Sequence, residues 1–229
     1  MRSPEHALKL SKQAFGSNAD GVFLIDHDSH HTPEVLTSAY QFLRQELGAK
    51  AWIGVNYLTL YPGEAVRHLF HAKENEQITQ FPDALWSDDA ISTADLHDVP
   101  ALKHVYGMEG VEYFGGIALK YTPSYTENPE LAAALALEYA PAVDVATTSG
   151  PGTGYAVSVD KVAAMRQALV EAGLGTPLAL ASGVSIANID SYRPYVDRVL
   201  AASSIETGLY SGVFDLYRMH ELIEAAHRD

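Results

Sequence analysis

The 229-residue chain contains no cysteine, which excludes disulfides, thiolate nucleophiles and sulfur-ligated metals and leaves histidine and carboxylate as the common metal ligands. It is also poor in positive charge. Fifteen Lys and Arg stand against 29 Asp and Glu, a formal net charge of -14. Nucleic-acid backbones and anionic membranes need clustered cations, so neither is an expected partner. A small anion is compatible with this balance, because backbone N–H groups act locally whatever the total charge. Every long apolar run breaks at Asp, Gly or Pro well short of the roughly 18 residues of a membrane span. The start, Met1-Arg2-Ser3-Pro4-Glu5-His6, does not join a basic segment to an apolar one as a secretory signal does, and the expected location is the cytoplasm.

What the chain does have is short apolar, β-branched runs alternating with segments of helical period. That pattern predicts βα units and a parallel sheet. Strands are expected at 21–25, 51–57, 84–86, 115–119, 143–146, 177–181 and 199–202. Helices are expected at 4–15, 33–47, 62–71, 99–105, 129–139, 159–172, 186–192 and 214–226. Pro33, Pro62 and Pro129 sit where a first helical turn tolerates a missing N–H, and Gly48 marks a stop. No repeat, low-complexity tract or linker divides the chain, so residues 1–229 are read as a single domain.

The expected architecture is α/β, a (β/α)8 TIM-type barrel lacking or truncated at its first strand, since seven strands are found where such a barrel has eight. Either a strand precedes Met1, or the sheet is left with unpaired edges at 21–25 and 199–202 that a second copy of the chain, in a homo-oligomer, would cover.

Barrels of this type bind ligands at the C-terminal ends of their strands. The residues there are Asp26, Asn56, Asp88 and Asp89, Lys120, Thr147 onward, Ser182 to Ser185, and Ser203 with Ser204. Two loops carry the most specific signal. Gly183, Val184 and Ser185 follow the sixth strand, where the glycine permits a close backbone approach and Ser185 would cap a short helix opening at Ile186. Ala202, Ser203 and Ser204 follow the seventh and offer small side chains with free amides. Together they are expected to hold a phosphate; the plain alternative is a tight turn with helix-capping serines. A third loop, with Thr148, Ser149, Gly150, Gly152, Thr153 and Gly154, would close over the ligand and supply N–H donors, or else is a long βα turn.

Lys120, placed at a strand end, would aim its ammonium into the barrel mouth as a counter-charge or acid–base group, or pair with a nearby carboxylate. Asp26 is a candidate general base or hydroxyl acceptor, and Asn56 a group that orients a hydroxyl. The run Asp26-His27-Asp28-Ser29-His30-His31 invites a metal reading, but its ligands lie in one short stretch rather than on several elements. A solvated loop is the expectation, with no metal and no cofactor assigned. His68 and His71 are expected on a wet helix face, and Asp95, His97 and Asp98 as helix-start chemistry.

Laid out in this way, the chain resembles the BtpA family of TIM-barrel proteins, named for a role in photosystem I biogenesis. The matching residues are Ala19-Asp20-Gly21-Val22, Gly54-Val55-Asn56, Leu119-Lys120-Tyr121 with Pro123, and the loop at 149–154 with Asp160 and Lys161. Gly183 and its flanking serines with Asn188, then Asp197, and Asp215 with Arg218 complete the set. The resemblance implies a ribulose-phosphate-binding type of barrel with phosphate at Gly183 and Ser203. It also implies a phosphosugar or nucleotide-like ligand and nucleosidase or phosphoribosyl chemistry at a glycosidic bond. A non-catalytic assembly or regulatory protein is a second reading, and a metal-dependent hydrolase using His27, His30 and His31 a third.

Overall fold

The computed structural model describes residues 3–26 and 32–228. Along these residues α1 (Pro4–Gly16), β1 (Val22–Ile25), α2 (Pro33–Leu47), β2 (Ile53–Asn56), α3 (Pro62–Glu74), β3 (Ala84–Ser87), α4 (Val99–Val105) and β4 (Glu112–Gly116) alternate. Then come α5 (Pro129–Tyr139), β5 (Val145–Thr148), α6 (Val159–Glu171), β6 (Leu178–Ala181), α7 (Ile189–Tyr192), β7 (Arg198–Leu200) and α8 (Leu216–Ala226). The seven strands form one sheet in chain order. Among the described residues, no helix is long and apolar enough to cross a membrane.

The chain groups into two compact units, Met1–Phe114 and Gly115–Asp229. In the first, β1, β2 and β3 pair in parallel, with Phe23 opposite Gly54, Ile25 opposite Asn56, and Asn56 opposite Trp86. Gly54 has no room for a side chain, because a Cβ there would lie 2.3 Å from the Phe23 ring. The Phe23 ring in turn meets Trp52, Trp86 and Phe114 edge-on, with centroids 5.3, 5.5 and 5.0 Å away. One face of this unit's strands is therefore packed with aromatic rings. The opposite end is pinned by Arg44 of α2, buried, which donates to the carbonyls of Gly48, Ala49 and Ala51 and to Asp83. Asp83 also accepts from the Ile53 N–H, so one carboxylate holds a helix and the start of β2 together. His68, expected in water, is half-buried. It lies 2.8 Å from the Thr37 hydroxyl and edge-on to the Tyr57 ring, and burial pushes its pKa down.

In the second unit β5, β6 and β7 pair in parallel, with Thr148 opposite Leu180 and Leu180 opposite Val199. Helices α5 and α6 pack on each other, and Asp197 accepts from the Leu178 N–H while forming a two-pronged ion pair with Arg166.

Two expected strands are displaced. The apolar run at 117–119 lies past the strand: β4 ends at Gly116, the Ile117 N–H still donates to the Thr147 carbonyl of β5, Ala118 takes a left-handed φ of 51°, and Ile117 to Leu119 are buried in a turn. The fifth strand runs two residues further than expected, so Thr148 belongs to β5 and not to the loop that follows.

Candidate functional site

In the second unit three loops come together. Ser182 and Gly183, just past β6, both have left-handed backbones, φ 76° and 73°. Only Gly183 is a residue for which this is unstrained. A Cβ on it would lie 2.0 Å from the Tyr155 carbonyl oxygen, so what approaches this glycine closely is the chain's own 155–156 segment. The close approach read from the sequence is thus internal. The Ser182 hydroxyl accepts from the Gly154 N–H at 3.1 Å, and a Cβ on Gly154 would reach to 4.0 Å from that of Ser203. The loops after β5, β6 and β7 are therefore neighbours at Gly154, Ser182 and Ser203.

The amides of these loops divide into two classes. In the loop after β5, Thr153 donates to the Tyr121 hydroxyl, Gly154 to Ser182, and Tyr155 to the Gly152 carbonyl. The Ser149 hydroxyl accepts from the Lys120 N–H and donates to the Gly150 carbonyl, and Thr148 donates to the Ala118 carbonyl. That loop was expected to offer donors to a ligand; its Thr153 and Gly154 amides are committed, while those of Ser149, Gly150 and Gly152 have no hydrogen-bond partner among the described residues. The amides of Gly183, Val184, Ser203 and Ser204 on the next two loops likewise have no hydrogen-bond partner among the described residues. The Ser204 hydroxyl oxygen is buried and also lacks one. Val184 is buried, while Gly183, Ser203 and Ser204 are half-buried, so these N–H groups are left for an acceptor from outside the chain.

Ser185 does not cap a helix at Ile186. Helix α7 begins at Ile189 behind Asn188, whose side-chain oxygen accepts from the Ser185 N–H at 2.8 Å while its amide donates to the Gly183 carbonyl. Asn188 is the residue that shapes this turn. Ala202 is exposed and lies two residues beyond β7.

Lys120 is not at a strand end. It follows the buried turn at 117–119, and its ammonium lies 5.7 Å from the centre of the exposed Tyr121 ring. Among the described residues, the lysine with no access to solvent is Lys161, in the first turn of α6. Its Nζ donates to the carbonyls of Ala118 and Ser149, both at 2.8 Å, and lies 3.8 Å from Glu127 and 5.0 Å from the Tyr125 ring centre. Burial pulls its pKa down to about 8 against the opposing pull of Glu127. Glu127 accepts from the Tyr125 hydroxyl and the Ser158 N–H as well. This network ties the segment after β4 to the loop after β5. A signal for it existed: Lys161, Met165 and Leu169 stand at i, i+4 and i+8, one face of the helix, and the latter two are core.

In the first unit Asp26 and Asn56 are buried at the ends of β1 and β2. The Asn56 amide donates to Asp88 at 2.8 Å. Asp89 accepts from the Ser92 N–H, and Asp95 from the Gly63 N–H and the Thr93 hydroxyl. His27, Asp28, His30 and His31 lie outside the described residues. Among the described residues, no group of three or more His, Asp or Glu could hold a metal ion.

No known family profile matches the chain, and no curated protein matches it in sequence. Solved structures do match. Phosphoribosyl anthranilate isomerase from Thermotoga maritima superposes with a TM-score of 0.64 at 15% identity, covering 96% of this chain and 93% of that one. A structure described as native KDPGal gives 0.64 at 16% identity, covering 97% and 89%. A phosphoribosyl anthranilate isomerase in complex with reduced 1-(o-carboxyphenylamino)-1-deoxyribulose 5-phosphate gives 0.60 at 14%, covering 96% and 93%. At such identities the likeness shows the fold. Seven parallel strands alternating with helices are an α/β TIM-type barrel arrangement, as expected from the sequence.

Proposed function

We propose that the chain is a phosphate-binding barrel enzyme acting on a phosphosugar or nucleotide-like small molecule. The observation that carries this reading is the set of four amides, Gly183, Val184, Ser203 and Ser204, left without internal partners on two adjacent loops past β6 and β7. A phosphate with several acceptor oxygens satisfies such donors without any cation, which suits a chain of net charge -14. The fold relatives support the ligand class, since one of them was solved with a deoxyribulose 5-phosphate derivative. The loop holding Thr148, Ser149, Gly150, Gly152, Thr153 and Gly154, fixed by Lys161 and Ser182, then acts as a wall of the site, with the Ser149, Gly150 and Gly152 amides as further donors.

For the chemistry, Asp26 in the first unit is the proposed general base and Asn56 the group that orients a substrate hydroxyl. In the second unit Lys120 is the proposed counter-charge. The finer reading is glycosidic-bond chemistry of nucleosidase or phosphoribosyl type, in line with the resemblance to the BtpA family and with a cytoplasmic setting. Titrating the purified chain with inorganic phosphate, ribose 5-phosphate and nucleoside monophosphates while following thermal unfolding tests the binding half. Saturable stabilisation by a phosphate compound is expected, about 2.7 kcal/mol at a hundredfold excess over Kd. No stabilisation by any of them removes the reading.

A further inference from the structure

The end of the β1–β3 strand face in the first unit holds a matched pair of buried polar atoms. Asn56 is 1% exposed, and its amide nitrogen donates to Asp88. A carboxylate accepts and cannot donate, so Asp88 fixes which way the amide points, and the Asn56 carbonyl oxygen must face elsewhere. That oxygen is buried with no hydrogen-bond partner. Trp86 is 8% exposed, and its indole N–H is likewise buried with no partner.

The two residues are neighbours on one face. Asn56 and Trp86 are register partners on adjacent parallel strands. Asn56 stands two residues after Gly54, which abuts the Phe23 ring, and the Trp86 ring packs edge-on against the same Phe23, so both side chains leave the same face. Ile25 is the third member of this row, opposite Asn56 on β1, and it is only half-buried.

An unpartnered acceptor and an unpartnered donor on register-paired residues of one face call for a group that does both. A hydroxyl donates to the Asn56 oxygen and accepts from the Trp86 N–H. A carboxylate or phosphate would meet the Asn56 oxygen with a lone pair, an ammonium would meet the indole hydrogen with another hydrogen, and a metal ion would find an N–H where it needs an oxygen. We infer that Asn56 and Trp86, with Asp88 as the positioning residue, form a recognition site for an alcohol group of a polyhydroxylated, sugar-type ligand. This deepens the reading of Asn56 as a hydroxyl-orienting residue and rests on it. It adds Trp86 as a direct contact and a ligand class defined by neutral hydroxyls rather than by charge.

Trp86 reports on its own site. The chain has two tryptophans, Trp52 and Trp86, so its 15N-labelled form gives two indole N–H signals, assigned by Trp86→Phe. D-ribose and ribitol, which lack phosphate, are the probes, with tetrahydrofuran as a hydroxyl-free control. Saturable movement of the Trp86 signal, with that of Trp52 fixed, is expected at concentrations up to about 100 mM, and no movement with tetrahydrofuran. By calorimetry, Trp86→Phe keeps the ring packing and weakens ribose binding about tenfold, as does Asn56→Leu. A Trp86 signal that stays still with both polyols overturns the inference and leaves a fixed water as the partner of the two atoms. So does unchanged ribose affinity in a folded Trp86→Phe variant. Inorganic phosphate, followed at the Gly183 and Ser203 amides of the same sample, tests the phosphate reading separately, so either can fail alone.

Discussion

The Lys161 ammonium lies 2.8 Å from the Ser149 carbonyl oxygen, twelve positions earlier in the chain, with no access to solvent. It is 2.8 Å from the Ala118 carbonyl as well. A single buried cation thus holds the turn after β4 and the loop after β5 in one arrangement, and Lys161 acts on a ligand only through the loops it positions.

This placement has a pH signature. Burial brings the Lys161 pKa from 10.5 in the unfolded chain to about 8 when folded. Between those values the unfolded state holds more protons, so this group's contribution to stability rises with pH and is lost as pH falls through about 8. The difference across the window is on the order of 3 kcal/mol. Urea unfolding of the parent and of Lys161→Met at pH 7 and pH 10 should show the parent gaining on the variant at the higher pH. Parallel behaviour of the two would contradict it.

Gly183→Ala should be costly. The new Cβ meets the Tyr155 carbonyl and the backbone has φ 73°. A loss of about 2 kcal/mol or more is expected, a drop of roughly 4 °C or more in Tm for a chain of this size, measured by calorimetry. Weaker binding of ribose 5-phosphate should accompany it, because the 153–156 segment must move.

Ser203→Asp separates binding from folding. Ser203 is half-exposed and its hydroxyl is not part of the core. A carboxylate beside the proposed phosphate site repels the anion, so affinity for ribose 5-phosphate should fall at least tenfold, about 1.4 kcal/mol, with Tm nearly unchanged. Equal affinity in the variant would place the phosphate elsewhere.

Asp26→Asn and Lys120→Met, made together, separate an enzyme from an assembly protein. Loss of a positioned acid–base group typically lowers turnover about 100-fold or more, while the four amides still bind phosphate, more weakly without the Lys120 counter-charge. Substrate consumption followed by 31P NMR reads the first, and a thermal-shift titration the second. If the cellular function survives both changes, the catalytic reading falls.

Much of the architecture was legible because its punctuation is chemical. Pro33, Pro129 and the stop at Gly48 mark helix ends found where expected, at Pro33–Leu47 and Pro129–Tyr139. The fourth strand was misplaced because apolarity reports burial and not ladder pairing. Ile117, Ala118 and Leu119 are fully buried yet form a turn, while the strand itself begins at the polar Glu112. Lys120 inherited that error. Gly183 was recognisable as a special position, but whether its empty space faces a ligand or the Tyr155 carbonyl depends on a segment 28 residues earlier, which no local pattern encodes. The Asn56–Trp86 pairing needed register, which links strands 30 residues apart.

The central claim is that the loops past β6 and β7 hold a phosphate. A crystal structure of the chain soaked with ribose 5-phosphate tests it most directly. The account predicts the phosphate oxygens within about 3 Å of the Gly183, Val184, Ser203 and Ser204 amide nitrogens. A phosphate bound anywhere else, with those four amides turned to water, would contradict it.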